Sequence, residues 1–286
     1  DAHDPRVGFQ WARWAMTTGD CDEASRRLAE PAVRALADAG SLGEIARTCS
    51  RAMASAITVE DPIHHVLVRF QDDVDRALLE VLGETAAKQR EVLVRDLGVE
   101  LPLPIRIDVV RDQFSLAAMT GLPHQAAQTT GTVAIAKWGR VIMLSPQAPA
   151  LGYAFRDTLA HELTHLALAR GTLDRAPLWL QEGVAKREEL RWRRTLPPDE
   201  ISPADAVAAA GLERGLGRPL DGIGPSVALL PSAKEAMVVY AEVSSFVGYL
   251  AGDRAGSPGA PHDPAVLPKL VATLARAPSV DAALVE

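Results

Sequence analysis

The chain has 286 residues, of which 48% are hydrophobic and 23% are charged, which is ordinary for a globular protein of one or two domains. The formal net charge of −7, with Lys and Arg interspersed among acids, argues against a nucleic-acid partner. No apolar run reaches the roughly 18 residues that a membrane span requires. The sequence starts at Asp1 rather than Met, so we expect a processed or excised chain whose targeting signal lies elsewhere.

The first part of the chain is predicted to be helical throughout. Ala, Leu, Val and Trp recur there at spacings of three and four residues. The predicted helices span residues 8–18, 22–39 and 42–56. Asp20 or Ser41 could cap the helix that follows it. Pro62 is the expected boundary, so residues 1–60 are predicted to form a helical segment, which could bind a protein partner.

Two cysteines, Cys21 and Cys49, lie in this helical segment. They could form a disulfide bond, or they could be two small buried side chains, and the sequence leaves both alternatives open. A metal-binding role is not expected, because zinc-binding cysteines usually occur as closely spaced pairs.

A small mixed sheet is predicted within residues 61–150. Alternating apolar residues predict strands over 65–70, 105–110, 132–136 and 140–144. Helices are predicted over 72–97 and 112–120. The sequence Lys137-Trp138-Gly139 is expected to form a hairpin turn between the last two strands.

The remaining residues, 151–286, are predicted to be helical. The predicted helices span 154–170, 177–193, 203–213, 232–251 and 264–276. Gly- and Pro-rich loops at 211–231 and 252–264 are expected to border a cleft. The expected fold class is therefore α+β, with an N-terminal helical segment and a larger domain over residues 61–286.

The sequence His161-Glu162-Leu-Thr-His165 lies on a helix that is apolar almost all round, as in a buried helix. An HExxH motif places two imidazoles one turn apart, so that both can bind one metal ion. Burying these groups without strong partners would cost several kcal/mol, and a divalent metal is such a partner. Glu162 is then the expected general base, acting on a water at the metal. The motif predicts a zinc hydrolase, with one zinc ion per chain.

Glu182 is the candidate third ligand. It lies on a helix expected to begin at Pro177, while Gly171 is expected to end the motif helix. Gly183 costs a helix about 1 kcal/mol relative to Ala, which a close helix–helix approach would explain. The alternative for Glu182 is an ordinary surface pair with Lys186.

The HExxH motif followed by Trp179-Leu-Gln-Glu182-Gly-Val-Ala resembles the gluzincin metallopeptidases. The similarity is greatest to the bacterial peptidase MA-like proteins, which are relatives of thermolysin and the aminopeptidase N family. It covers residues 64–252 and leaves residues 1–60 outside. The resemblance implies a thermolysin-like zincin domain in which the strand before the motif helix, Arg140–Leu144, is the edge of the substrate cleft and pairs with an extended peptide.

The resemblance also implies a Tyr or His that hydrogen-bonds the developing oxyanion. Tyr240 is at the matching position, and Tyr153 and His124 are weaker candidates. Lys186 occupies the position where thermolysin has an Asp that orients a ligand, so Asp157 or Glu189 is expected to take that role.

Residues Gly139 to Ser145 lack the acid by which aminopeptidases hold the substrate amine, so endopeptidase activity on a peptide or protein is expected rather than aminopeptidase activity. The resemblance and the absence of a start Met together lead us to expect a bacterial periplasmic or extracellular location. The alternative from another functional class is a non-catalytic zincin-fold module for binding or assembly, with a helical partner-binding segment.

Overall fold

The computed structural model describes residues 4–193, 204–253, 263 and 265–285. These residues form thirteen α-helices and one five-stranded mixed sheet, so the α+β class expected from the sequence is confirmed. None of the helices in these ranges is long and apolar enough to cross a bilayer. The predicted helix start at 203 and most of the predicted loop 252–264 lie outside the described residues.

Four helices form the N-terminal part of the protein: α1 (Pro5–Thr18), α2 (Cys21–Leu28), α3 (Pro31–Arg34) and α4 (Ala39–Ala52). The single helix predicted over 22–39 is wrong, because Pro31 has no N–H with which to continue α2 and begins α3 instead. Asp20 caps α2, and its side chain accepts a hydrogen bond from the backbone N–H of Glu23 at 2.9 Å. Ser41 lies inside α4 and is not its cap.

Cys21 and Cys49 form a disulfide bond that joins α2 to α4. Of the two alternatives that the sequence left open, the disulfide is the one observed. Both residues are buried in a hydrophobic cluster that the N-terminal helices share with one face of the sheet. The bridge spans a sequence separation of 28 residues and so constrains how these helices pack.

The sheet contains β1 (Ile57–Asp61), β2 (Val66–Phe70), β3 (Ile105–Val110), β4 (Ala134–Lys137) and β5 (Arg140–Leu144), in the order β1-β2-β3-β5-β4. Strands β2, β3 and β5 are mutually parallel. β1 pairs antiparallel with β2, and β4 pairs antiparallel with β5. β1 was not predicted: its side chains are mostly exposed or half-buried, and its apolar alternation is limited to Ile57 and Val59.

The edge of the sheet nearest the motif helix is β4, and the prediction that β5 forms this edge is wrong. β5 lies between β3 and β4 and pairs with both. Trp138 and Gly139 have φ angles of 52° and 70° and form the tight turn that folds β5 back along β4, as the predicted hairpin requires. The unpaired backbone groups at this edge therefore belong to Ala134–Lys137.

Helices cover both faces of the sheet. The N-terminal helices and α6 (Gln113–Thr120) pack on one face. The helices α5 (Leu79–Leu97) and α8 (Phe155–Thr172) pack on the other, where the larger core continues into the C-terminal half. The remaining helices are α7 (His124–Thr130), α9 (Leu178–Glu188), α10 (Ala204–Glu213), α11 (Ala233–Leu250), α12 (Val266–Leu274) and α13 (Val280–Val285). Neither α7 nor α13, of 7 and 6 residues, was predicted.

Three arginines of the sheet hold the C-terminal end of α1, and each donates a hydrogen bond to a backbone carbonyl there. The distances are 2.6 Å from Arg69 to Gly19, 3.1 Å from Arg106 to Thr18 and 2.7 Å from Arg140 to Met16. A helix C-terminus carries negative partial charge, so cations are favourable at this end. Arg69 and Arg140 also pair with the buried carboxylate of Asp108. These contacts fix α1 on β2, β3 and β5.

Candidate metal centre

The HExxH motif lies on α8 in the interior of the protein. His161 and Glu162 are buried, with 9% and 7% of their surface exposed, and His165 is half-buried. The helix packs against α5, α9 and the edge strand β4. This burial agrees with the apolar character of the motif helix in the sequence.

Gly171 does not end α8, and the expectation that it would is wrong. The helix continues past it and ends where Leu173 adopts a left-handed conformation, with φ of 53°. A Cβ atom at Gly171 would lie 2.7 Å from side-chain carbons of both Val99 and Val271. The glycine therefore permits close packing of α8, which is a reason for it that the sequence pattern did not reveal.

Glu182 meets the two imidazoles of the motif. The Nε2 atoms of His161 and His165 are 3.1 Å apart, and each lies 3.4 Å from Oε2 of Glu182. These three atoms form a cluster that could hold a metal ion. Oε2 of Glu182 is buried, and no group among the described residues makes a hydrogen bond of good geometry to it. It is thus a buried anionic atom directed at two imidazole nitrogens.

The position of Glu182 depends on close packing of α9 against α11. A Cβ atom at Gly183 would lie 2.5 Å from the backbone oxygen of Val243 and from Cγ2 of Val247. The close helix–helix approach expected at Gly183 is therefore confirmed. The surface pair of Glu182 with Lys186 is not formed, because Lys186 donates to Oε1 of another residue, Glu189, at 2.6 Å.

Glu189 contacts the ring nitrogen of His161 that faces away from Glu182. Its Oε2 atom lies 3.1 Å from Nδ1 of His161, on the side of the ring opposite Glu182. Asp157, the other expected candidate for this role, instead accepts a hydrogen bond from Nε1 of Trp192 at 3.1 Å. A carboxylate on the second nitrogen of a ligating imidazole fixes the orientation and tautomer of the ring. Glu189 is placed for this function, and Asp157 is not.

The carboxylates around His161 favour positive charge at the centre. Burial alone lowers the pKa of His161, but the neighbouring carboxylates of Glu182 and Glu189 outweigh it and raise the pKa to about 10. Burial likewise raises the pKa of Glu182, yet the charges of His165 and His161 hold it well below its usual range. A bound cation would therefore replace protons at this site, as metal ions do at His and carboxylate ligands.

Glu162 is held at the edge of the sheet. Its Oε2 atom accepts a hydrogen bond from the backbone N–H of Ala136 in β4, at 2.6 Å. This N–H points away from β5, so it is one of the groups that an added strand would use. Glu162 thus lies between the imidazole pair and the open edge of the sheet.

Tyr240 is on α11 and borders the same centre. Its ring centroid lies 6.2 Å from that of His161, and Nζ of Lys186 lies 5.5 Å from the Tyr240 ring centroid. Burial, together with nearby carboxylates such as Glu182, raises the pKa of Tyr240 well above its usual value. The hydroxyl therefore keeps its proton at neutral pH and can act as a hydrogen-bond donor.

The two weaker candidates from the sequence lie elsewhere. The hydroxyl of Tyr153 donates to the backbone oxygen of Leu144. The ring of His124 stacks on Phe114, with 4.0 Å between the ring centroids. Neither residue is among those that line the cleft beside the motif.

A cleft of about 930 Å³ opens over the centre. His161, Glu162, His165, Glu182 and Tyr240 all line it. The outer side of β4 forms one wall, and Pro225, Ser226 and Ala228 of the predicted 211–231 loop contribute to its border, as expected. A smaller cavity of about 180 Å³ adjoins it near His161 and Tyr240. The larger cleft is in the usual size range for a ligand site beside reactive groups.

Compared with known proteins, the chain matches no protein-family model, no curated protein sequence and no solved structure.

Two groups at the site were not predicted from the sequence. The backbone N–H of Ala136 holds Glu162, but a backbone donor carries no sequence signal of its own. Lys186 holds Glu189, and the only available signal was their separation by three positions on a helix, where side chains are neighbours.

Proposed function

We propose that the protein is a zinc-dependent metallopeptidase of the gluzincin type, with a thermolysin-like arrangement of sheet and motif helix. The observation that carries the proposal is the convergence of three donor atoms from His161, His165 and Glu182, with separations of 3.1 to 3.4 Å. It supports a role that the HExxH sequence alone only suggested.

The donor set fits zinc. Tetrahedral zinc binds His nitrogen and carboxylate oxygen at about 2.0–2.1 Å, and donors at such distances lie about 3.3 Å from one another. The three separations at this site agree with that value. The buried Oε2 of Glu182, to which no described residue makes a hydrogen bond of good geometry, is a further reason to place a cation there. Three protein ligands leave a fourth position for water or substrate, as in catalytic zinc sites.

When bound, zinc supplies a Lewis acid and lowers the pKa of a coordinated water to about 7. Glu162 acts as the general base that takes a proton from the attacking water and then gives it to the leaving amine. Its hydrogen bond to Ala136 holds the carboxylate beside β4, the strand with which the substrate would pair.

Tyr240 and Glu189 have supporting roles in this proposal. The Tyr240 hydroxyl donates a hydrogen bond to the oxygen on which negative charge develops, a role that its buried and protonated state allows. Glu189 accepts the Nδ1 proton of His161 and so holds the imidazole with Nε2 directed at the metal.

The substrate is an extended peptide that pairs with β4. The outward N–H and C=O groups of this edge strand line the cleft and can continue the sheet by one strand. The sequence Ala134-Ile-Ala-Lys137 contains no acid to hold a substrate amine, which favours an endopeptidase over an aminopeptidase. We place the protein in the bacterial periplasm or outside the cell, because disulfides such as Cys21–Cys49 persist in oxidising compartments.

The test compares wild type with Glu162→Gln for zinc content and for cleavage of casein. We expect both proteins to hold close to one zinc per chain and only wild type to cleave. Glu91→Gln, at an exposed position of α5, is the matched control and should cleave as wild type does. Zinc-loaded wild type that cleaves no peptide in a broad library would favour the alternative, a non-catalytic zincin-fold module.

A further inference from the structure

The N-terminal helices contribute to the cleft, although they lie outside the region of gluzincin resemblance. Arg13 and Thr17 of α1 line the cleft, together with Trp138 and Gly139 of the β4–β5 turn. Arg13 and Thr17 are four residues apart, so they share one face of the helix. One wall of the cleft is therefore built by the segment that the sequence left without a function.

Hydrogen bonds from the sheet hold the end of α1, which forms this wall of the cleft. Arg69, Arg106 and Arg140 donate to three backbone carbonyls at the end of α1, all within two residues of Thr17 in the chain. These arginines belong to three neighbouring strands of the sheet that carries β4. The exposed face of α1 is thus held at a fixed position relative to the edge strand.

This part of the cleft is basic in a protein that is acidic overall. Among the described residues, four cations line it, from α1, β3, β4 and α8: Arg13, Arg106, Lys137 and Arg170. Apart from Glu162 and Glu182 at the metal centre, the acid that lines the cleft is Asp174. The formal net charge of the whole chain is −7, so the charge of this part of the cleft is opposite in sign to that of the whole chain.

Where these cations have a hydrogen-bond partner among the described residues, that partner is uncharged. Arg106 and Lys137 donate to the backbone oxygens of Thr18 and Thr120, which are uncharged. Arg13 contacts the neutral amide of Gln10. Within the described ranges, no ion pair with Asp or Glu is formed by any of the four. Concave surfaces lined by one sign of charge concentrate the field and attract ligands of the opposite sign.

We infer that the basic wall formed by Arg13, Arg106, Lys137 and Arg170 selects peptides that carry Asp or Glu beside the segment paired with β4. This inference rests on the proposed function, because it takes the cleft to be a peptide-binding cleft. Lys137 is next to Ala136, which holds Glu162, so the wall begins close to the reacting groups and extends to α1.

The test uses the Glu162→Gln variant, in which binding is measured without cleavage. Two fluorescein-labelled decapeptides serve as probes, one alternating Glu and Ala and the other alternating Lys and Ala. Fluorescence anisotropy should show that the Glu peptide binds more tightly than the Lys peptide by about tenfold or more, with an advantage that shrinks as salt is added. Adding Arg13→Glu should weaken binding of the Glu peptide by about threefold to tenfold, as expected for reversal of one exposed charge.

Arg51→Glu is the matched control, because Arg51 is an exposed arginine of the same N-terminal segment that does not line the cleft. It should leave binding of the Glu peptide unchanged, and Arg170→Glu, which reverses another charge of the basic wall, should act like Arg13→Glu. Equal affinity for the two peptides, or equal effects of Arg13→Glu and Arg51→Glu, would overturn the inference. Wild type that cleaves peptides without preference for acids would overturn it while leaving the proposed function standing. Selective binding of the Glu peptide by a protein that cleaves nothing would uphold the basic wall and refute the peptidase.

Discussion

The carboxylate of Glu162 and the backbone N–H of Ala136 are joined by a hydrogen bond of 2.6 Å. This bond connects the proposed general base to the strand with which the substrate would pair. The N–H of Ala136 points away from β5 at the open edge of the sheet, so it can donate either to Glu162 or to a peptide that pairs with β4. Substrate that takes this donor would free the carboxylate for the water it must deprotonate.

Proline substitutions in β4 test this geometry. In an antiparallel pair of strands, every second residue directs its backbone N–H and C=O at the partner strand. The N–H of Leu144 donates to the carbonyl of Val133, so the backbone groups of Ile135 and Lys137 also point at β5. Ile135→Pro should therefore lower the free energy of unfolding by about 3 kcal/mol or more. Ala136→Pro should cost much less stability but lose peptide cleavage, since it removes an outward donor. Urea unfolding and casein cleavage give both values, and equal destabilisation by the two prolines would contradict the position of β4 at the edge.

The sequence predicted the elements with strong periodicity but not the order of the strands. Strands β2 to β5 and helices α8 to α11 were expected near their observed positions because each has a regular apolar pattern or a clear terminator. The edge position was assigned to β5 because it directly precedes the motif helix. Strand order depends instead on pairing between distant segments, here β3 with β5, which a local pattern does not encode.

Zinc affinity tests the role of Glu189. Loss of a carboxylate behind a ligating imidazole typically costs roughly 10- to 100-fold in metal affinity. We expect Glu189→Gln to weaken zinc binding by that amount in competition with a fluorescent chelator. Asp157→Asn is the control, because Asp157 is bonded to Trp192 and not to a ligand, so it should affect stability rather than zinc affinity. The opposite ranking of the two variants would assign the supporting carboxylate to Asp157.

The candidate site shows the same division between local and distant information. His161, Glu162 and His165 could be placed by spacing on one helix, and Glu182 by its motif on the next. Glu189 was one of two expected candidates, and its choice over Asp157 required the packing of α9 on α8. The basic wall was not expected at all, because Arg13 and Lys137 are more than a hundred residues apart and come together only through the docking of α1 on the sheet.

The disulfide is expected to stabilise the N-terminal helices. For a bridge between residues 28 positions apart, the chain-entropy model gives a contribution of about 3–4 kcal/mol. The double variant Cys21→Ala/Cys49→Ala should lose an amount of this order in urea unfolding. Mass spectrometry of protein alkylated without reduction should find no free thiol. If a reducing agent leaves the unfolding midpoint of wild type unchanged, the bridge does not contribute in this way.

Glu188 is expected to make stability depend on pH. Burial raises the pKa of its carboxyl to about 7, despite contacts with Arg187 and Arg191. The unfolded chain has the ordinary value of 4.5, so the folded protein holds an extra proton between these two pKa values. The stability associated with the raised pKa is present below about pH 4.5 and is lost as the pH rises through about 7.

The variant Glu188→Gln should remove this loss. The free energy of unfolding of the variant minus that of wild type should be larger at about pH 8 than at about pH 5, by roughly 2–4 kcal/mol. Urea unfolding at both pH values provides the comparison. A difference between variant and wild type that is the same at both would mean that Glu188 does not titrate in this range.

The central claim is that His161, His165 and Glu182 hold one catalytic metal ion. Zinc content measured by mass spectrometry of protein purified without chelators tests it most directly. We predict close to one zinc per chain in wild type and in Glu162→Gln, and a large loss of zinc in Glu182→Gln with the fold retained. Wild type without zinc that also fails to take it up on dialysis, or Glu182→Gln with full zinc content, would contradict the claim.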